Sequence, residues 1–255
     1  MLLLYDFGLS PFAQKVKIAL REKGVAFERR NGLTGDGVDE LRRLNRRGEV
    51  PLLVDGDVTV ADSRIILDYI DERWPEPPLL PADPGKRAQS RMLEELCDTE
   101  IEALIYNLGE LSFSEHGPAE ARQAVAEFGS AELKRHQAEL SKRLGDDAYF
   151  DGETIGRGDI SVLPHMNASR VMRMAPEQDN MLAWLDRMNA RPSVIETVAE
   201  VKQSLADFKV LMGAVKAGNT RRQMRDHRLD WLLRAGGAPI LQARLAADDV
   251  RFSAA

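Results

Sequence analysis

Ser10-Pro11-Phe12-Ala13 follows an apolar run over residues 1–7 and precedes a helical pattern over residues 13–23. A serine followed by proline is typical of a helix start, because the serine caps free backbone N–H groups and proline at the first helical position loses no hydrogen bond. The start of a helix also favours negative charge. Ser10 is therefore predicted either to cap the helix or to stabilise an anion such as a thiolate.

The composition is that of an acidic protein with one cysteine. The 255 residues carry a formal net charge of −6, and the single cysteine is Cys97. The charge argues against a nucleic-acid or anionic-membrane surface, and one cysteine excludes an intrachain disulfide. No run reaches the ~20 apolar residues that span a bilayer, and we see no signal peptide. We expect a cytoplasmic protein with neither a nucleic acid nor a membrane as partner.

The first 78 residues alternate between strand and helix patterns. Residues 25–29 predict a second strand, and residues 38–44 predict a short helix. Asp55-Gly56 lies between two apolar runs, which is a strong hairpin signal. Pro51 opens the first of these runs, so its strand is at a sheet edge or the proline lies just outside the pairing. With Asp62-Ser63 capping a further helix, the predicted order is β-α-β-α-β-β-α.

The remainder of the chain is predicted to be helical. A proline-rich stretch, Trp74-Pro75-Glu76-Pro77-Pro78, ends the first domain, so we expect domains at residues 1–78 and 86–255 joined by a linker at 79–85. Helical patterns follow at residues 86–113, 118–144, 157–173, 178–190 and 193–215.

An additional tail begins at about Arg221. Its arginines (Arg221, Arg222, Arg225 and Arg228) are interpreted as a solvated face. Its apolar side (Leu229, Trp231, Leu232 and Leu233) must pack on the bundle, over the substrate cleft or against a partner subunit.

This α/β segment followed by an all-α bundle resembles the cytosolic glutathione transferases of the serine type (theta-, zeta- or tau-like). The resemblance rests on Ser10-Pro11-Phe12-Ala13, Val50-Pro51-Leu52, Asp62-Ser63, and the stretch from Ala183-Trp184-Leu185 to Pro192. It implies a thioredoxin-like N-terminal domain that binds glutathione as co-substrate and a helical domain that supplies the second-substrate site. It also implies a homodimer. The tail lies outside the usual length of the family.

The resemblance assigns roles to individual residues. Ser10 matches the catalytic serine, whose hydroxyl would donate to the glutathione sulfur and not act as a nucleophile. Val50, before a proline that is cis in the family, would pair with the glutathione backbone, while Asp62 and Ser63 would hold its γ-glutamyl end. The predicted glutathione-binding residues are Ser10, Phe12, Val50, Pro51, Asp62 and Ser63.

Several alternatives stay open at this point. Tyr5 is a rival to Ser10, because other branches of the family use a tyrosine at the end of the first strand. The family commonly has Lys or Gln where this chain has Glu49, so the glycyl carboxylate of glutathione lacks an evident partner. Arg43, Arg46 or Arg47 are candidates for that role.

We predict a transferase that activates glutathione for attack on a hydrophobic, electrophilic small molecule. The second-substrate wall is assigned to Phe12, Tyr106 and His116 from their expected helix positions. Cys97 is interpreted as buried packing and Asp159 as a structural helix-capping residue. The four histidines match no metal spacing, so no metal site is predicted. The alternatives are a glutathione-dependent isomerase, dehalogenase or ether-cleaving enzyme, and a non-catalytic binding protein of the same fold.

Overall fold

The computed structural model describes residues 1–252 and begins with a four-stranded domain. Its elements follow the predicted order: β1 (Leu2–Asp6), α1 (Pro11–Glu22), β2 (Glu28–Asn31), α2 (Gly37–Leu44), β3 (Leu52–Asp55), β4 (Val58–Ala61) and α3 (Ser63–Arg73). The second strand begins three residues later than predicted and consists of polar residues. It is an edge strand, which needs backbone pairing and not apolar side chains.

The sheet has the order β2-β1-β3-β4, in which β2 is parallel to β1 and the other pairs are antiparallel. Leu52 faces Tyr5 on one side and Ala61 on the other. The end of β1, the start of β3 and the end of β4 therefore share one edge of the sheet. Pro51 lies just outside the pairing, in agreement with the second of the two predicted positions.

The helices of the second part follow a short connection from α3. They are α4 (Pro84–Leu96), a π-helical turn (Cys97–Ile101), α5 (Glu102–Phe113), α6 (Ala119–Leu144), α7 (Arg157–Val171), α8 (Asp179–Asn189), α9 (Pro192–Gln203) and α10 (Leu205–Lys216). The predicted helix at 86–113 is thus interrupted by the π-helical turn, and the one at 193–215 divides at Ser204. Within residues 1–252, no helix combines the length and the apolarity needed to cross a membrane.

Helix α1 is buried between the sheet and the helical part, packing against α3, α7 and α9. Lys15 Nζ lies 2.8 Å from Glu94 Oε1 and 2.6 Å from Asp98 Oδ2. Lys17 Nζ lies 2.8 Å from Glu200 Oε2. Because these lysines pair with carboxylates of the helical part, ion pairs fix α1, and with it Ser10, at the junction of the two parts.

Asp159 organises the start of α7. Its carboxylate accepts hydrogen bonds from Gly156 N and Phe150 N at 3.0 Å each and from Trp184 Nε1 at 2.8 Å. Both Asp159 and Trp184 are fully buried. These contacts agree with the structural role predicted for Asp159, and they extend it to the packing of α8 on α7.

The C-terminal tail (residues 221–252) consists of β5 (Arg222–Met224), α11 (Asp226–Arg234), α12 (Ala238–Ala246) and β6 (Val250–Phe252), in which β5 and β6 pair in parallel. Helix α11 lies along α5, and Trp231 is buried with its Nε1 donating to Glu132 Oε2 at 3.0 Å. Leu229, Trp231 and Leu232 thus pack on the bundle, the first of the three predicted positions, whereas Leu233 is 46 % exposed.

Candidate functional site

The residues singled out by the sequence meet at one edge of the sheet. Ser10 follows β1, Val50-Pro51 precedes β3, and Asp62-Ser63 follows β4. Since these three strand ends are neighbours in the register, their loops form one continuous surface beside the start of α1.

Ser10 is the N-cap of α1 and is partly exposed. Its Oγ accepts a hydrogen bond from Ala13 N at 3.3 Å, and Pro11 occupies the first helical position. Because the backbone amide uses a lone pair of the oxygen, the hydroxyl hydrogen is available to a second acceptor. The cap and the donor roles are therefore compatible in one side chain, at the helix end that favours an anion.

Tyr5 has a different environment. The residue is 3 % exposed, and its hydroxyl donates to Glu40 Oε2 of α2 at 3.1 Å. Burial, together with the hydrogen bond to Glu40, raises the pKa of the Tyr5 phenol. This hydroxyl is directed at α2 and is a poorer candidate than Ser10 for contact with a ligand sulfur.

The loop before β3 contains the cis peptide bond Val50-Pro51. Within residues 1–252, the backbone N–H and C=O of Val50 make no hydrogen bond, and the pairing of β3 starts only at Leu52. Val50 therefore has one donor and one acceptor available to an extended peptide.

Asp62 and Ser63 form the start of α3. Asp62 has a φ of 75°, a conformation that is uncommon for a residue other than glycine, and its side chain accepts from Arg64 N at 2.9 Å. Such conformations concentrate at functional sites. The Asp62 carboxylate is 41 % exposed, whereas Ser63 is 5 % exposed. Asp62 thus presents a negative charge to solvent beside the positive end of a helix.

The C-terminal tail reaches this surface at Glu49, next to Val50. Gln223 Nε2 donates to Glu49 Oε1, and Arg225 Nη2 lies 3.2 Å from Glu49 Oε2. The Arg225 guanidinium also lies 5.0 Å from the centre of the Phe12 ring. Arg43, Arg46 and Arg47 are the sequence-based candidates for the cation that meets the glycyl carboxylate of glutathione. Of these, Arg47 contacts Glu49, at 3.0 Å from Nε to Oε2, and the tail contributes Arg225 in addition.

The predicted second-substrate wall is divided by the fold. Tyr106 lies under the tail, with the Arg228 guanidinium 3.7 Å from its ring centre and its hydroxyl 3.4 Å from Gln223 O. Both Phe12 and Tyr106 therefore contact the segment 223–228. His116 lies elsewhere and pairs with Asp249 of the tail, at 2.7 Å from Nε2 to Oδ2.

A cavity of about 510 Å³ lies between the end of α5, α10 and the tail. Its wall combines apolar and charged side chains, including Phe113, His116, Met212, Val215, Lys216 and Arg222. Neither Ser10 nor Phe12 lines it. Phe113 packs edge-on against Phe208, with 4.7 Å between ring centres, and Phe208 packs against the buried cluster around Tyr5 and Phe7. The cavity is thus separate from the Ser10 loop.

Cys97 lies outside this surface, in the π-helical turn. Cys97 is fully buried, and burial raises the pKa of its thiol well above the usual value, as expected for packing. In the part of the chain that the structure describes, no group of three or more His, Cys, Asp or Glu residues is arranged to hold a metal ion.

Comparison with known proteins agrees with this geometry. Residues 4–78 match the family described as "Glutathione S-transferase, N-terminal domain". Glutathione S-transferase U22 of Arabidopsis thaliana is 32 % identical over 212 residues, which cover 80 % of this chain and 93 % of that protein. A stringent starvation protein A homolog of Coxiella burnetii is 29 % identical over 207 residues, covering 78 % of this chain and 94 % of the relative.

Among solved structures, a glutathione S-transferase of Methylobacterium radiotolerans superposes with a TM-score of 0.62. It is 30 % identical in sequence, and the match covers 77 % of this chain and 94 % of that one. That structure was determined in complex with glutathione sulfonate.

Proposed function

We propose, since the chain belongs to the glutathione S-transferase family, that it is a glutathione-dependent transferase in which the Ser10 hydroxyl stabilises the glutathione thiolate. The observation that carries this proposal is the hydrogen bonding of Ser10. Its oxygen is occupied by Ala13 N, so its hydrogen is free to donate at the positive end of α1.

The chemistry requires a thiolate, because a free thiol of pKa ~8.5 is only a few per cent ionised at neutral pH. A donated hydrogen bond and the helix end both favour the charged sulfur. A decrease in the thiol pKa of about two units corresponds to roughly 2.7 kcal/mol and leaves most of the bound thiol ionised.

The other loops fit the rest of the peptide. The N–H and C=O of Val50 pair with the cysteinyl backbone beside Pro51, as an added strand would. The exposed Asp62 carboxylate meets the ammonium group of the γ-glutamyl end, and Ser63 with the start of α3 meets its carboxylate.

The second substrate is a small electrophile bound between the two parts of the protein, beside Phe12 and Tyr106. Attack of the thiolate on an electrophilic carbon forms a C–S bond and expels a leaving group. Isomerisation, reductive dehalogenation and ether cleavage use the same thiolate and remain alternatives within this proposal. We also propose that the protein is a cytoplasmic homodimer.

The test is calorimetric titration with glutathione, combined with the ultraviolet absorbance of the bound thiolate. Ser10→Ala should bind glutathione within a few-fold of the wild type and lose the thiolate absorbance, whereas Tyr5→Phe should retain both. An absence of binding at millimolar glutathione would refute the proposal. Retention of the absorbance in Ser10→Ala, with loss in Tyr5→Phe, would transfer the role to Tyr5.

A non-catalytic binding protein is the second candidate. The observation that favours it is the coverage of Phe12 and Tyr106 by the tail, which occupies space that an electrophile would use. Single-turnover reactions with a panel of activated halides and epoxides separate the two functions. A protein that binds glutathione and ionises its thiol, but forms no conjugate with any of them, is a binding protein.

A further inference from the structure

We infer that the C-terminal tail is part of the glutathione site, and that Arg225 and Arg251 of the tail receive the glycyl carboxylate of glutathione. This inference rests on the proposed function. The tail follows the helical bundle and lies far from Ser10 in sequence, and none of its residues was among the sequence-based candidates for this carboxylate.

The first step concerns the direction of the peptide. Leu52 faces Ala61 in the sheet, so the next pair outward is Pro51 with Asp62. A peptide that pairs with Val50 and has its γ-glutamyl end at Asp62-Ser63 must extend past Val50 in the other direction. Its glycyl end therefore arrives at Glu49.

The second step concerns the charge at that position. One carboxylate, Glu49, meets two guanidinium groups, those of Arg47 at 3.0 Å and Arg225 at 3.2 Å. Arg251 stands beside them, hydrogen-bonded to Arg47 O at 3.5 Å and to Gln223 Oε1 at 3.3 Å. Together, these four side chains carry three positive charges and one negative charge. The net positive charge favours binding of an anionic group of a ligand.

The third step concerns Arg251 itself. Among residues 1–252, no carboxylate lies within 4.0 Å of its guanidinium, which has only neutral acceptors. Burial, with a contribution from Arg42, lowers the pKa of Arg251, whereas Glu49 raises it. A partly buried cation that no carboxylate of residues 1–252 approaches is a place where a ligand carboxylate gains a charge-assisted hydrogen bond.

Arg225 is held in position for the same contact. Its guanidinium packs at 5.0 Å from the Phe12 ring centre, and its side chain is 22 % exposed. Glu49 and the Phe12 ring thus orient the guanidinium group of Arg225, and part of the Arg225 side chain still faces solvent. A carboxylate that enters from the Val50 side shares Arg225 with Glu49, and Arg47 and Arg251 compensate the second negative charge.

The experiment compares glutathione with γ-glutamylcysteine, which lacks the glycyl residue, by calorimetry on the full chain. The wild type should bind glutathione about tenfold or more tightly than γ-glutamylcysteine, the ratio typical of one charged hydrogen bond. In Arg225→Met this ratio should fall below about threefold, because only the glycyl contact is lost. Arg221→Met is the matched control on the same tail, since Arg221 pairs with the exposed Asp248, and it should keep the wild-type ratio.

The outcomes are separable from those of the proposed function. If the wild type binds neither peptide, the proposed function fails. If the wild type binds both equally, or if Arg225→Met keeps the full ratio, this inference alone is overturned. Should Arg225→Met fail to fold, Arg251→Met provides the same comparison, and an undiminished ratio in that variant overturns the inference as well.

Discussion

Replacing Arg228 by methionine should release helix α11 from the bundle. Arg228 contacts Glu102 at 3.1 and 3.0 Å from Nε to Oε1 and Oε2, and its Nη2 donates to Oε1 as well. The Glu102 side chain is only 3 % exposed, and His227 Nε2 at 2.9 Å is its other close partner. Arg228→Met keeps the aliphatic stem but leaves a buried carboxylate with one neighbour instead of two.

The magnitude follows from the burial of this pair. Two unit charges 4 Å apart attract by about 4 kcal/mol at an effective dielectric constant of 20, and breaking a buried pair on one side costs about 3–5 kcal/mol. Burial alone would raise the pKa of Glu102, but Arg228 and His227 outweigh it and hold the pKa below its usual range. The pair therefore stabilises the fold above about pH 4, and its contribution decreases below that pH.

Hydrogen exchange of the α11 amides measures this free energy directly. At neutral pH, 3–5 kcal/mol corresponds to exchange roughly 150- to 5000-fold faster in Arg228→Met. Arg221→Met, which removes an exposed pair, should accelerate exchange by about fivefold at most. Glu102→Gln with Arg228→Met should recover most of the loss, because no unpaired charge stays buried. Equal exchange in Arg228→Met and Arg221→Met would refute the reasoning, as would a double variant that is no more stable than Arg228→Met.

Two further predictions concern the helical core. His165 is 2 % exposed, and burial lowers its pKa to about 4. As the pH falls, His165 is therefore protonated in the unfolded chain before it is protonated in the folded protein. Between pH 6.5 and 4, the free energy of unfolding of the wild type should decrease by about 3 kcal/mol relative to that of His165→Gln. Urea unfolding of both proteins across this pH range measures the difference. Burial raises the pKa values of Asp98 and Asp159 to about 6, which makes stability rise as the pH falls, but both proteins contain these residues and the comparison removes their contribution. Parallel pH profiles would contradict this. Asp159→Asn turns an amide group towards one of the three N–H donors and should cost about 1–3 kcal/mol in urea unfolding at neutral pH. A variant as stable as the wild type would show that Asp159 does not organise the start of α7.

The N-terminal domain was predictable because its signals are local. The Ser10-Pro11 cap, the Asp55-Gly56 hairpin and the Asp62-Ser63 cap each depend on neighbouring residues, and all three occur at the predicted positions. The second strand lies three residues beyond its predicted start, because a prediction from apolar residues favours 25–29 over the polar segment that follows. Val25 and Phe27 instead pack on the core, while the polar residues Glu28–Asn31 form the strand.

Contacts between distant segments were not predictable from local patterns. Lys15 and Lys17 of α1 are both buried, because carboxylates from distant segments pair with them: Glu94 and Asp98 with Lys15, and Glu200 with Lys17. The division of the helix at Ser204 has a comparable origin. A Cβ atom at Gly8 would lie 2.0 Å from Ser204 Oγ, so the chain between α9 and α10 approaches the Ser10 loop at a glycine.

The arginines of the tail are the clearest example of contacts that the sequence pattern does not predict. Their spacing predicts a solvated face, but Arg222, Arg225 and Arg228 each pair with a carboxylate of another segment: Glu110, Glu49 and Glu102, respectively. All three acceptors are largely buried, with the side chains of Glu110, Glu102 and Glu49 8 %, 3 % and 11 % exposed. Glu49 differs in its second partner, because the side chain of Arg47 is 55 % exposed.

Arg222 and Arg228 therefore anchor the tail by ion pairs with Glu110 and Glu102, whereas Glu49 keeps Arg47 as a partner when Arg225 turns towards another acceptor. Arg225 can consequently exchange part of its contact with Glu49 for a ligand carboxylate while Arg222 and Arg228 keep the tail docked. Under the proposed function, glutathione thus adjusts the contacts at one end of the tail without displacing the tail from the bundle.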